Sequence, residues 1–134
     1  MEDIGIRIFI IAVILTSVVL IKLVSRINKG HLTPSKKVNR DVLPSWKPGK
    51  QSIVFFTHDS CHECEKLQKP ALNFLKSPHT QIFTINASQD RALASYFQIF
   101  TVPTTIILDG YGESKFINHG YTSEKILSEQ LKNL

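Results

Sequence analysis

Cysteine is scarce: the chain of 134 residues holds two, with one methionine and one tryptophan. Two thiols cannot staple a small secreted scaffold, so the fold must rest on a hydrophobic core. Internal repeats and low-complexity tracts are absent. Basic excess is missing from the larger part of the chain. Residues 51–134 carry seven Lys/Arg against eight acids, a net −1. Without a basic face there, nucleic-acid binding loses its main support. The surplus sits in residues 1–50, with nine Lys/Arg against three acids, a net +6. At 43% hydrophobic and 20% charged, the chain is globular rather than disordered, and its length suits one domain.

One long apolar run is present. Ile8 to Ile21 reads IFIIAVILTSVVLI without a charge. Fourteen helical residues span only about 21 Å, short of a hydrocarbon core of about 30 Å. Ile4 to Val24 extends the run to twenty-one residues and takes in Arg7 and Lys22, whose long side chains can snorkel to the headgroups. We read a single transmembrane anchor over 1–25, touching lipid through residues 4–24. A secretory signal is the competing reading; two acids at the start and the lack of an A-x-A-like cleavage site oppose it. Arg26, Lys29, Lys36, Lys37 and Arg40 follow the helix, and the positive-inside rule then puts the C-terminal part in the cytoplasm.

Residues 26–50 are polar and broken by Gly30, Pro34, Pro44, Pro48 and Gly49, the composition of a tether. Lys36, Lys37 and Arg40 could meet anionic headgroups. Val42, Leu43 and Trp46 could dock on the domain that follows. That domain is expected over 51–134, in the order β-α-β-α-β-β-α. Ser52–Thr57 is a continuous apolar run suited to a strand buried on both faces. Thr80–Asn86 and Thr104–Leu108 read as further strands. Asp109-Gly110-Tyr111-Gly112 turns the chain back into a hairpin partner over Glu113–Asn118. Ser88 or Gln89 opens a helix through Phe97. Ser123 caps a last helix with Ile126, Leu127, Leu131 and Leu134 on one side. A helical crossover makes the first two strands parallel.

The chemistry gathers at Cys61-His62-Glu63-Cys64, where the first strand meets a helix. Ser60 and Glu63 have the S-x-x-E form of a capping box, which predicts a helix from Cys61 through Leu67, kinked near Pro70. A cysteine at a helix start meets unpaired N–H groups and the positive end of the dipole, which favour its thiolate. A second cysteine one turn deeper can close a disulfide with it. The pair could therefore attack a client disulfide and resolve the mixed disulfide internally, with Cys61 as nucleophile and Cys64 as resolving thiol. His62, if protonated, would favour the thiolate and Glu63 would oppose it, so oxidant and reductant stay undecided. His58, with Asp59, could carry protons. The same spacing serves zinc, and His58, Cys61 and Cys64 could supply three ligands, though no second cysteine pair completes the set. Haem attachment is excluded, because Glu65 stands where histidine is required. A purely structural disulfide would close too small a loop to stabilise much. A metal-binding or non-catalytic docking module is thus the alternative to an exchange enzyme.

Thr101-Val102-Pro103-Thr104 stands just before the third strand. With the strand–CHEC–helix junction, the D-G-Y-G hairpin and Gly120-Tyr121, this segment makes 52–134 resemble the thioredoxin superfamily. The resemblance implies a thioredoxin-like α/β fold behind one N-terminal transmembrane helix. It also implies a cis Val102–Pro103 bond packed on the disulfide, with Val102 and Pro103 binding an extended substrate segment as in strand addition. Its expected partners are cysteine-containing proteins and an upstream redox partner, with no cofactor and no metal. Departures are plain. Phe55 stands where thioredoxin has a buried aspartate six residues before its first cysteine. Ser60 replaces the signature tryptophan and His62-Glu63 replace Gly-Pro. The Gly-Gly-x-Asp clamp of glutaredoxins is missing, and little room is left for a leading β-α unit. Anchored proteins of this kind mostly face the bacterial envelope, which turns the expected side of the membrane outward, against the charge rule.

Overall fold

The computed structural model describes residues 2–27 and 35–134. The chain divides into two compact units, 1–31 and 32–134. The first is the helix α1 (Glu2–Ile27), in which Ile4–Lys22 is long and apolar enough to cross a membrane, a property that a signal sequence shares. Apolar side chains from Ile4 to Ile21 are exposed around the helix. Two hydroxyls of the apolar stretch bond within the helix, Thr16 Oγ1 to the Val13 carbonyl and Ser17 Oγ to that of Ile14, so neither is left unsatisfied in an apolar medium.

The second unit is a four-stranded sheet in the order β2-β1-β3-β4, built from β1 (Gln51–Thr57), β2 (Thr80–Asn86), β3 (Thr104–Leu108) and β4 (Ser114–His119). β1 pairs parallel with β2 and antiparallel with β3, and β3 pairs antiparallel with β4. Ser52 through Thr57 are all buried, as a central strand covered on both faces requires. One face carries Val54, Phe56, Ile106 and Leu108 under Leu93, Ala94 and Phe97. The other carries Ile53, Phe55 and Ile107 under Cys64, Leu72, Leu127 and Leu131.

Of the segment expected as a tether, 28–34 lie outside the described residues. Val38, Leu43 and Trp46 are buried in the first cluster and complete its cover. Val38 N–H donates to Gly112 O at 2.7 Å, and Ser114 N–H to Lys36 O at 3.0 Å. Lys36 Nζ donates to the Tyr96 carbonyl and lies 4.9 Å from the Tyr96 ring centroid.

The helices depart from expectation in detail. α3 (Arg91–Tyr96) starts two residues after Gln89, because Asp90 accepts from the Leu93 N–H and caps it. α4 (Glu124–Lys132) follows Ser123, whose side chain makes no capping bond. It buries Leu127 and Leu131 and leaves Ile126 exposed. The kink expected near Pro70 takes the form of a π turn, Cys64–Gln68, that leads into α2 (Lys69–Phe74). Proline lacks an N–H and its ring would strike the carbonyl four residues back. Widening the turn, with the Lys69 N–H on the Cys64 carbonyl, relieves that conflict.

The β3–β4 turn is held by Asp109, whose Oδ1 accepts the N–H groups of Tyr111 and Glu113 at 2.9 Å each. Burial pushes its carboxyl up. The Glu113 N–H, Lys115 and the Tyr111 N–H outweigh that and hold it below the usual carboxylate range. A depressed carboxylate stabilises the fold above its unfolded value and loses that contribution as pH falls through the folded value. Asp109→Asn should therefore be less stable than the wild type at neutral pH, with the gap closing below the ordinary aspartate range. Urea titrations at neutral and acidic pH check this, and a gap that is constant with pH would refute it.

Candidate active site

Beyond Thr57 the chain makes a tight turn in which Cys61 N–H donates to His58 O at 3.0 Å. The Glu65 N–H then meets Cys61 O at 3.3 Å, the first bond of the helix. Cys64 N–H lies 3.2 Å from Cys61 Sγ, so the sulfur itself occupies the cap. The Ser60–Glu63 capping box does not form. Ser60 sits inside the turn, its Oγ 3.0 Å from His58 Nδ1 and its N–H donating to the same nitrogen at 3.2 Å. Glu63 is exposed. Cys61 and Cys64 are joined in a disulfide, S–S 2.08 Å, with Cα atoms 5.3 Å apart. Cys61 is partly exposed and Cys64 is 0% exposed.

The Val102–Pro103 peptide is cis. Pro103 is buried, and Val102, like Cys61, packs against the cluster that holds Cys64. The π turn brings Gln68 inward, where Nε2 donates to Thr122 O at 3.1 Å and Oε1 accepts Thr122 N–H at 2.9 Å. That buried pair of bonds ties the cysteine helix to the loop ahead of α4. Gln68 escaped the sequence reading because a polar residue on a helix has no inward signal until the helical phase shifts.

A cleft of about 230 Å³ is lined by His58, Ala87, Ser88, Ile99, Phe100, Thr101 and Val102. The chain leaves α3 through Gln98 in the left-handed region, φ 56°, and Phe100 emerges 88% exposed. Of the four residues expected to modulate the exchange, His58 reaches the cleft and Asp59 is bonded by Asn86 Nδ2 at 2.6 Å. His62 and Glu63 face solvent. Among the described residues no three His, Cys, Asp or Glu side chains form a metal-ligand set.

The model of the thioredoxin-like domain family matches residues 46–134. The chain belongs to the thioredoxin-like domain family. The solved structures it is similar to include thioredoxin from Fasciola hepatica, at 19% identity and a TM-score of 0.57, covering 64% of this chain and 82% of that one. A mutant thioredoxin from Halobacterium salinarum gives 24%, 0.57, 63% and 74%. Oxidised mitochondrial thioredoxin 3 from Saccharomyces cerevisiae gives 17%, 0.56, 63% and 79%. At these identities the likeness speaks for the fold. No curated protein matches the chain. A thioredoxin-like domain with a Cys61–Cys64 disulfide at a helix start supports thiol–disulfide exchange as a general chemistry.

Proposed function

We propose that this thioredoxin-like domain is a protein thiol–disulfide oxidoreductase, with Cys61 as the attacking sulfur and Cys64 as the resolving one. The carrying observation is the unequal access of the two sulfurs: Cys61 partly exposed at the cap, Cys64 fully buried. In the reduced domain a Cys61 thiolate meets the Cys64 N–H and the helix start, both of which favour negative charge. It attacks one sulfur of a client disulfide, and the other client sulfur leaves as a thiolate and takes a proton from solvent. Cys64, deprotonated, then attacks Cys61 Sγ. The second client sulfur leaves, the client is reduced by two electrons, and the domain disulfide is restored. Run backward, the same steps oxidise a dithiol.

Val102, two residues ahead of β3, offers backbone hydrogen bonds to an extended client segment. Pro103, buried at the next position, completes that client-binding segment. His58, at the cleft, and His62 and Glu63, between the cysteines, are modulators of the exchange. A partner dithiol or disulfide must reset the pair after each cycle. The test is insulin reduction by the full chain in detergent with a small dithiol as electron source. Wild-type turnover above the Cys61→Ser/Cys64→Ser double variant is expected, and equal rates would defeat the proposal. In the same reading α1 anchors the domain on the extracytoplasmic side. A C-terminal alkaline phosphatase fusion should be active in a bacterial host, and a fluorescent green-fluorescent-protein fusion with inactive phosphatase would reverse the orientation.

A further inference from the structure

Thr57 closes β1 at the end that leads to Cys61. Successive strand side chains point to opposite faces, so Thr57 shares a face with Ile53 and Phe55. Those two pack in one cluster with Cys64. The register pairs Ile53 with Ile107 and Phe56 with Thr104, and one further step sets Thr57 level with Pro103. Thr57 thus stands in the row that ends at the cis-proline, on the face covered by the cysteine helix. It is 8% exposed, and its Oγ1 has no hydrogen-bond partner. Its backbone is satisfied, with the carbonyl accepting the Ala87 N–H at 2.9 Å.

A buried hydroxyl without a partner destabilises the state that contains it. Here that state is the disulfide. Reduction leaves at Cys64 a thiol or thiolate, a sulfur able to accept a hydroxyl's hydrogen bond. Phe55 is apolar, and Gln68 is already committed to Thr122. Among the described residues no buried Asp, Glu, His or Lys lies in either core cluster. We infer that the Thr57 hydroxyl serves the resolving sulfur, donating to Cys64 Sγ in the reduced domain and losing that bond when the disulfide closes. The inference rests on the exchange reading above and adds the group that tends its buried sulfur. The hydroxyl itself is neither oxidised nor consumed.

The test equilibrates the full chain in detergent with set ratios of glutathione and its disulfide. Two glutathione thiols supply two electrons and two protons to the Cys61–Cys64 bond and join to each other. Alkylation and mass measurement give the reduced fraction. Thr57→Val removes both the unpaired hydroxyl of the oxidised form and the hydrogen bond of the reduced form. Both effects favour the disulfide, by about tenfold in the equilibrium constant, or about 30 mV toward more negative potential. Thr57→Ser keeps the hydroxyl and should stay within about threefold of wild type. Where valine prevents folding, Thr57→Ala should shift the equilibrium the same way. A hydroxyl-free variant unchanged within about twofold, a shift toward the dithiol, or serine behaving as valine does, overturns the inference. The equilibrium needs no client, so wild-type protein that fails to reduce insulin would defeat the exchange reading and leave this result intact.

Discussion

Cys61→Ser should bring insulin reduction down to the rate of the small dithiol alone, whereas Cys64→Ser should stop the cycle after its first step and hold the client in a covalent adduct. The loss in turnover is expected on the order of 10³-fold for either variant, and the double variant should be no slower than Cys61→Ser, because the two sulfurs act as a unit. The difference between the singles comes from access. A client sulfur can approach Cys61, which is partly exposed, but not Cys64, which is fully buried. With Cys64 gone, the mixed disulfide at Cys61 has no internal attacker and persists. Non-reducing electrophoresis with mass analysis should find the adduct for Cys64→Ser and none for Cys61→Ser. An adduct on Cys64 in the Cys61→Ser protein would reverse the assigned roles.

The second large effect is structural. Gly112 has φ 82°, and a Cβ there would lie 2.3 Å from Val38 O and 3.1 Å from the Trp46 ring. Neither neighbour can step aside, since Val38 N–H is bonded to Gly112 O and Trp46 is buried. Gly112→Ala should cost roughly 3 kcal/mol, combining a strained left-handed backbone with overpacking. For a domain of this size that is a fall in Tm of about 15 °C. Gly49 has a similar φ of 80° with nothing within 4 Å of its would-be Cβ. Gly49→Ala should therefore lose only the conformational part, about 1 kcal/mol. Thermal melts of both variants separate the two contributions, and equal losses would show that the contact with Val38 is relieved elsewhere.

The strands could be read closely because their signals are local. Ser52–Thr57 and Thr104–Leu108 are short runs of β-formers, and Thr80–Asn86 alternates. The helix starts were read less well because several short polar side chains compete for each cap. Ser60 fits the capping pattern, yet it faces His58 and a sulfur takes the cap instead. Asp90 wins over Ser88 and Gln89 by reaching the Leu93 N–H. Pro70 announced a disturbance in its helix, but that the relief would be a π turn which buries Gln68 depends on Thr122, distant in sequence. At the candidate site, the cysteine spacing and the segment before β3 were visible as patterns. Phe100 at the cleft and the hydroxyl of Thr57 were not, since exposure and hydrogen bonding depend on the whole fold.

Val38, Leu43 and Trp46 sit inside the core although the sequence around them is polar and proline-rich. Anyone making a water-soluble version by removing α1 would be tempted to begin at the first strand. Such a shortened chain would leave Phe56, Phe97 and Ile106 uncapped along one flank and invite aggregation. A version that begins ahead of Lys36 keeps the flank closed, so the choice of start point decides whether the excised domain stays in solution.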